Sequence, residues 1–166
     1  MSIKSECKQK RPAMKWRCPP SGRLKIKIDG AFDAVTSNGG IGVVVRNEER
    51  LGVAAFARPF VHAHSALNME VEACRVGLLL GIHQGWSEIE VESDSTLLIA
   101  ALNREEQDFS EVGRVLEDCK DYMSAFQFIQ VRHIYREANG VAHRLAHLAR
   151  VGRLDDMWLG ETPVII

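Results

Sequence analysis

Three carboxylates lie at sequence positions that, in an α/β fold, are typical of a ligand-binding site. Asp29 and Asp94 each follow a short run with strand-like alternation, and Glu70 lies early in the long helical stretch between them. The carboxyl ends of adjacent parallel strands form the ligand crevice of an open α/β sheet. Clustered carboxylates repel one another, and a divalent cation that prefers oxygen ligands, such as Mg²⁺, is the usual compensation. The three residues therefore indicate a metal site.

Such a site has a defined chemistry. Two divalent ions about 4 Å apart support in-line phosphodiester cleavage, because one activates water and the other stabilises the leaving oxygen. The alternative is structural, since an Asp after a strand is often a turn residue or a helix cap, and Asp94 could cap a helix over 95–102. Spacing alone leaves both interpretations open.

Hydrophobic periodicity shows which elements must position these carboxylates. Apolar–polar alternation and valine-rich runs between turns predict five strands, at 24–28, 41–46, 52–58, 89–92 and 128–133. Helical spacing predicts helices at 65–84, 96–102, 110–126 and 140–150. Short turns join the first three strands into an antiparallel meander, and right-handed crossovers place strands one, four and five side by side in parallel. We predict an α/β fold in which helices pack on a mixed five-stranded sheet.

Length and composition set the domain organisation. At 166 residues, with 46% hydrophobic and 26% charged residues, the chain is one globular domain with short appended segments. We place a basic N-terminal arm at 1–17, the folded domain at 18–150 and a C-terminal tail without a pattern at 151–166. The arm has a net charge of +5 and the remainder −6. The arm could therefore hold a polyanion, or it could be a solvated tail.

Compartment and membrane signals are weak or missing. No apolar stretch approaches the ~20 residues needed to cross a bilayer, and the N-terminus lacks the apolar core of a secretory signal. The cysteines are widely spread with no CxxC pair, which favours reduced thiols. They are Cys7, Cys18, Cys74 and Cys119. We expect an intracellular protein with no membrane segment and no zinc finger.

Four segments in order resemble ribonuclease H type 1. They are 28–32, which contains Asp29, then 69–78 with Glu70, 92–95 with Asp94, and 133–146, HIYREANGVAHRLA. The resemblance covers about residues 16–150. Within that family, the sequence most resembles the plant reverse-transcriptase-like branch. It implies the ribonuclease H-like fold and metal-dependent hydrolysis of the RNA strand of RNA–DNA hybrids.

The resemblance implies a role for individual positions. Asp29 matches the aspartate that bridges two metal ions, Glu70 the helix glutamate and Asp94 the second strand-end aspartate. Glu72 competes for the helix position, but Glu70 has the family spacing. His133 matches a mobile histidine that assists product release, and it could shuttle protons at neutral pH. Without the resemblance, His133 would be an ordinary surface histidine at a strand end.

One position departs from the family pattern. The fourth family carboxylate, an aspartate that opens the last helix, is His143 here. Imidazole is a poor ligand for Mg²⁺ and a better one for Mn²⁺ or Zn²⁺. The implied cofactor is Mg²⁺, with Mn²⁺ as the alternative, and His143 is a weak fourth ligand that lowers the rate. His143 and His147 have the spacing of some zinc sites, but no Glu follows His143 as a zincin requires.

The implied substrate is nucleic acid. Family members straddle the wide minor groove of a hybrid and contact 2′-hydroxyls. The resemblance places Gly30, Thr96 and Asn139 among the substrate-binding residues, although Asn139 could instead cap the last helix. Two other functions remain open. One is a binding domain for hybrid or double-stranded RNA that has lost most turnover through His143, and the other is a domesticated retroelement fragment.

Overall fold

Strands and helices alternate through the part of the chain that the structure, a computed structural model, describes, which is residues 22–106 and 108–160. The strands are β1 (Leu24–Phe32), β2 (Gly39–Arg46), β3 (Gly52–Phe60), β4 (Glu88–Ser93), β5 (Phe128–His133) and β6 (Asp156–Leu159). The helices are α1 (Ala66–Gln84), α2 (Thr96–Asn103), α3 (Glu111–Met123) and α4 (Gly140–Gly152). A 3₁₀ turn, Arg136–Asn139, leads directly into α4.

All of these strands belong to one mixed sheet with the order β5-β4-β1-β2-β3-β6. β1, β2 and β3 form the antiparallel meander, and β1, β4 and β5 are parallel. Both features confirm the predicted topology. In the β1–β4 pairing Ile28 lies opposite Ser93, so the next residues, Asp29 and Asp94, lie at the same edge of the sheet.

The expectation of five strands was wrong, because β6 adds a sixth. It lies within the segment 151–166 that was assigned as a tail, and it pairs antiparallel with β3, with Trp158 opposite Ala55. A four-residue edge strand is too short to show alternation in the sequence. Its position depends on the free edge of β3. It depends also on the packing of Trp158 and Leu154 against a small group of buried side chains that includes Val44 and Ala142.

The two faces of the sheet carry separate cores, because side chains alternate along a strand. Val43 faces the larger core, which α1 and α3 cover, and Val44 faces a smaller core beneath α4. The smaller core is built from short side chains such as Ala142 and Ala149.

A membrane span is not found among the helices of the described ranges, since none is both long and apolar enough.

Two glycines bring α4 into close contact with β2. A Cβ at Gly40 would collide with the backbone oxygen of Ala146, and one at Gly42 would collide with that of Ala142. The missing side chains let the helix lie directly on the strand. This close packing carries the first turn of α4, and with it His143, to the carboxyl end of β1.

Candidate metal centre

The three predicted carboxylates meet at one end of the sheet. One oxygen each from Asp29, Glu70 and Asp94 can be chosen so that all three lie within 4.8 Å of one another. Asp29 and Glu70 are 1% and 8% exposed, and the Asp94 side chain is 6% exposed. Three anions this close and this well shielded from water need positive charge to remain ionised.

Local structure fixes the position of Glu70. Ser65 is the N-cap of α1, and its hydroxyl accepts a hydrogen bond of 2.9 Å from the Asn68 N–H. In return, Asn68 Oδ1 accepts one of 3.0 Å from the His64 N–H. This reciprocal cap sets where the helix starts. A Cβ at Gly30 would lie 2.5 Å from the backbone carbon of Met69, so only glycine lets α1 approach β1 this closely.

The structural alternatives for these acids do not hold. Ser95, not Asp94, caps α2, because its hydroxyl accepts a hydrogen bond of 3.1 Å from the Leu98 N–H. Glu72 points away from the cluster and forms an ion pair of 3.0 Å with Arg75. The structure therefore brings Glu70, and not Glu72, to Asp29 and Asp94.

Burial and mutual repulsion make the cluster a strong proton acceptor. Burial first, and then the charges of Asp29 and Asp94, raise the pKa of Glu70 to about 9. A proton on Glu70 can be shared with Asp29, and the Gly30 N–H offsets part of the increase by donating to the Glu70 carboxyl. Burial and the charge of Asp94 also raise the pKa of Asp29, although a hydrogen bond from His143 opposes this.

Two basic side chains from the last motif compensate the cluster. His143 Nδ1 lies 2.8 Å from Asp29 Oδ2, and Arg136 Nε donates to Asp94 Oδ2 at 2.5 Å. Arg136 Nη1 also lies 3.1 Å from His143 Nδ1. An ionised carboxylate and a guanidinium cannot both bond the same ring nitrogen, because one only accepts and the other only donates. The shorter contact assigns the Nδ1 hydrogen to Asp29, which leaves Nε2 as the acceptor of the ring, and Arg136 Nη1 lies 3.4 Å from that nitrogen.

The donor set suits a hard divalent cation. Asp29 Oδ1 and Glu70 Oε1 are fully buried and receive no hydrogen bond from the described residues. Carboxylate oxygens are the ligands that Mg²⁺ and Mn²⁺ prefer. The residues present therefore fit such an ion, and His143, on α4, lies beside Asp29 at the edge of this donor set.

The other predicted site residues surround this centre without joining the cluster. His133 is exposed at the end of β5, and its ring packs edge-on against Tyr135 with centroids 5.7 Å apart. Thr96 is exposed at the first position of α2. Gly30 contributes its backbone and its lack of a side chain, as described above.

Asn139 is buried at the N-cap position of α4, as the alternative expected, but its side chain makes no capping hydrogen bond. Its Nδ2 instead donates to the Ile28 carbonyl at 2.8 Å, and its Oδ1 is buried with no hydrogen-bond partner among the described residues. Lys27 Nζ donates to the Ala138 carbonyl at 2.7 Å. Both bonds attach the 3₁₀ turn to β1, and this attachment positions Arg136 beside Asp94.

Sequence reasoning missed Arg136. It lies within the HIYREANG segment, three residues after His133, but it was not singled out as a site residue. The signal that could have identified Arg136 is electrostatic, because a cluster of three acids needs a cation nearby. Arg136 is a basic residue in the segment between β5 and α4, which lies next to the cluster. The basic arm, residues 1–17, lies outside the described residues.

This architecture, with strand-end and helix carboxylates on a mixed sheet, is the ribonuclease H-like fold. The family model described as reverse transcriptase-like matches residues 27–149, and the chain belongs to that family. A search of curated proteins found no match.

Solved structures show the same fold. Ribonuclease H1 from the archaeon Halobacterium salinarum superposes with a TM-score of 0.70 at 22% identity, covering 77% of this chain and 97% of that one. The N-terminal ribonuclease H domain of a Mycobacterium tuberculosis protein gives 0.72 at 22% identity, covering 80% and 96%. LC11 ribonuclease H1, solved in complex with an RNA/DNA hybrid, gives 0.70 at 21% identity, covering 80% and 100%. These matches establish the ribonuclease H-like fold, and none of the three supports the plant branch in particular.

Proposed function

We propose that this protein is a metal-dependent endonuclease that hydrolyses the RNA strand of RNA–DNA hybrids. The observation that carries the proposal is the buried cluster of Asp29, Glu70 and Asp94, two of whose oxygens have no hydrogen-bond partner among the described residues. A purely structural cluster would satisfy its buried oxygens with donors. Two unpaired buried oxygens on members of one acidic cluster favour a bound cation.

Each residue has a task in this proposal. Asp29, Glu70 and Asp94 hold the Mg²⁺ or Mn²⁺ ions, with His143 as a fourth contact. When bound, the ions activate a water molecule and stabilise charge on the leaving oxygen. Glu70 must lose its proton before it can act as a ligand. His133, opposite Ser93 in the sheet pairing, reaches the same edge and would assist product release there.

The hybrid substrate is supported by the fold. LC11 ribonuclease H1, which shares this fold, was solved with an RNA/DNA hybrid. Thr96 is exposed two residues beyond Asp94, where a hydroxyl can contact a ribose 2′-hydroxyl. Gly30 completes the proposed substrate-binding set through its backbone beside the cluster, whereas Asn139 is fully buried and would act only by holding the turn before α4 against β1. An intracellular location and a plant or retroelement origin remain part of the proposal.

A second candidate is a nucleic-acid-binding domain with little turnover. The observation that favours it is the pairing of Asp29 with His143 and of Asp94 with Arg136, because a hydrogen bond and a guanidinium charge then support two of the acids without any metal. In that case the chain would bind hybrid or double-stranded RNA and release it uncut.

A cleavage assay separates the two candidates. We expect the full chain to cut a labelled RNA–DNA hybrid in Mg²⁺ or Mn²⁺ and to be inactive in EDTA. Asp29→Asn keeps the shape of the side chain but removes one charge, and it should lower the rate by orders of magnitude. Glu72→Gln, a change of the same kind outside the cluster, should leave the rate unchanged. Binding without cleavage in either metal would establish the second candidate, and full activity in Asp29→Asn would rule out the proposed centre.

A further inference from the structure

Arg136 occupies an unusual place in the centre. Its Nε donates to Asp94 Oδ2 at 2.5 Å, one of the shortest side-chain contacts in the described chain. The Arg136 side chain as a whole is nevertheless 57% exposed. Asp94 is almost fully buried, so the guanidinium supplies charge to an anion that water reaches poorly. A guanidinium does not lose its proton at any physiological pH, so it can leave Asp94 only by moving.

A divalent ion and Arg136 make the same demand on Asp94. Each needs an oxygen of the Asp94 carboxylate, and each contributes positive charge that lowers the repulsion among the three acids. Placing both against Asp94 would bring a guanidinium beside a divalent cation, which is electrostatically unfavourable. The exposed stem of Arg136 allows the guanidinium to swing into solvent without disturbing the core.

We propose that Arg136 is an intramolecular counter-cation that competes with the divalent metal for Asp94, so that the metal enters the centre by displacing the guanidinium. The inference rests on the metal centre of the proposed function and adds a determinant of its metal affinity. Arg136 stabilises the metal-free chain and weakens metal binding by the same contact.

The chain contains a matched control for this contact. Arg132 lies four residues earlier, is 45% exposed at its side chain, and contacts Glu92 Oε2 at 2.6 Å, a carboxylate that is 3% exposed. Glu92 is also near Lys25, at 3.4 Å, and it lies outside the Asp29–Glu70–Asp94 cluster. Arg132→Gln therefore removes the same charge from the same kind of contact, but not from a proposed metal ligand.

The direct test measures metal binding in the absence of substrate. The full chain, stripped with EDTA and dialysed, is titrated with Mn²⁺ alone and with Mg²⁺ alone, and bound metal is measured by calorimetry and by the electron paramagnetic resonance of free Mn²⁺. We expect Arg136→Gln to bind Mn²⁺ about tenfold more tightly than the natural chain, which is about 1.4 kcal/mol. Arg132→Gln should change the Kd by less than about twofold.

Thermal unfolding gives a second readout. Without metal, Arg136→Gln should melt below the natural chain, because the three carboxylates lose a counter-charge. At saturating Mn²⁺ the gap should close, because the metal has already displaced Arg136 from the natural chain. Arg136→Lys keeps a charge but loses the planar fork, and it should fall between the two in both measurements.

The outcomes separate this inference from the proposed function. If the natural chain binds Mn²⁺ through Asp29 but Arg136→Gln has an unchanged or weaker affinity, the competition is refuted and the metal centre stands. A melting gap that persists at saturating Mn²⁺ refutes it as well, since Arg136 would then remain in place. If the natural chain binds neither metal at millimolar concentration, the proposed function fails and the inference fails with it. Should Arg136→Gln not fold, the same comparisons apply to Arg136→Lys.

Discussion

Glu70→Gln should stabilise the metal-free protein. Burial and the neighbouring acids raise the pKa of Glu70 to about 9, against an ordinary value of 4.5. At pH 7 the folded chain therefore keeps Glu70 protonated, whereas the unfolded chain ionises it. Glutamine is neutral in both states, and its side-chain oxygen can still accept the hydrogen bond from the Gly30 N–H.

The size of the effect follows from the two pKa values. Each pH unit above the unfolded pKa costs the folded state about 1.4 kcal/mol, until the folded pKa is reached. The cost is absent below pH 4.5 and grows up to about pH 9, where it levels off. At pH 7 it amounts to about 3 kcal/mol, which corresponds to a rise of roughly 6–12 °C in the Tm of Glu70→Gln.

Metal should reverse the order of stability. A divalent ion needs an ionised Glu70, so binding releases a proton and the affinity of the natural chain should rise with pH, by up to about tenfold per unit below pH 9. Glutamine supplies no charge, and the variant should gain little from metal. The natural chain should therefore unfold first in EDTA and last in saturating Mn²⁺.

Urea and thermal unfolding at pH 5, 7 and 9 in EDTA test this reasoning. Glu72→Gln is the control, because Glu72 pairs with Arg75 outside the cluster and should show no gain at any pH. The gap between Glu70→Gln and the natural chain should widen from less than about 1 kcal/mol at pH 5 to its largest value at pH 9. A gap that is zero at pH 7, or that does not grow with pH, would refute the argument.

Three further changes test other parts of the structure. His143→Asp puts a carboxylate against Asp29, so it should lower the metal-free Tm and raise Mg²⁺-supported cleavage about tenfold; equal rates in Mg²⁺ would show that position 143 does not limit catalysis. Deleting residues 1–15 should weaken hybrid binding and flatten its dependence on salt, and an unchanged slope of log K against log salt would assign the arm to solvent. Gly42→Ala should cost about 1–3 kcal/mol in urea unfolding because its Cβ collides with the backbone of α4, whereas Gly152→Ala, which meets open space, should be nearly neutral.

Much of the fold could be predicted from local pattern. Alternation over 24–28 and 89–92 placed β1 and β4, and the rule for right-handed crossovers made them parallel neighbours. Once those strands are neighbours, the acids that follow them, Asp29 and Asp94, must share an edge. Periodicity and strand chirality act over short distances along the chain, so the sequence displays them directly.

The helix glutamate needed one more piece of information. Glu70 and Glu72 both lie on α1, and the choice between them came from family spacing to Ala73 and Gly77. The structure places Glu70 beside Asp29 and pairs Glu72 with Arg75. Two residues apart on a helix is a rotation of about 200°, so the two side chains face different surroundings.

The remaining features exist only through contacts between distant segments. β6 is a strand because β3 leaves an edge open to it, and four residues carry too little pattern to show this in advance. Asn139 occupies the N-cap position of α4, but its side chain donates to the Ile28 carbonyl, because the turn before α4 packs against β1. Arg136 contacts Asp94 across 42 residues of chain. The strand-end acids can thus be found from local pattern and Glu70 from family spacing, whereas burial, repulsion and counter-charge arise only when distant segments of the chain come together in three dimensions.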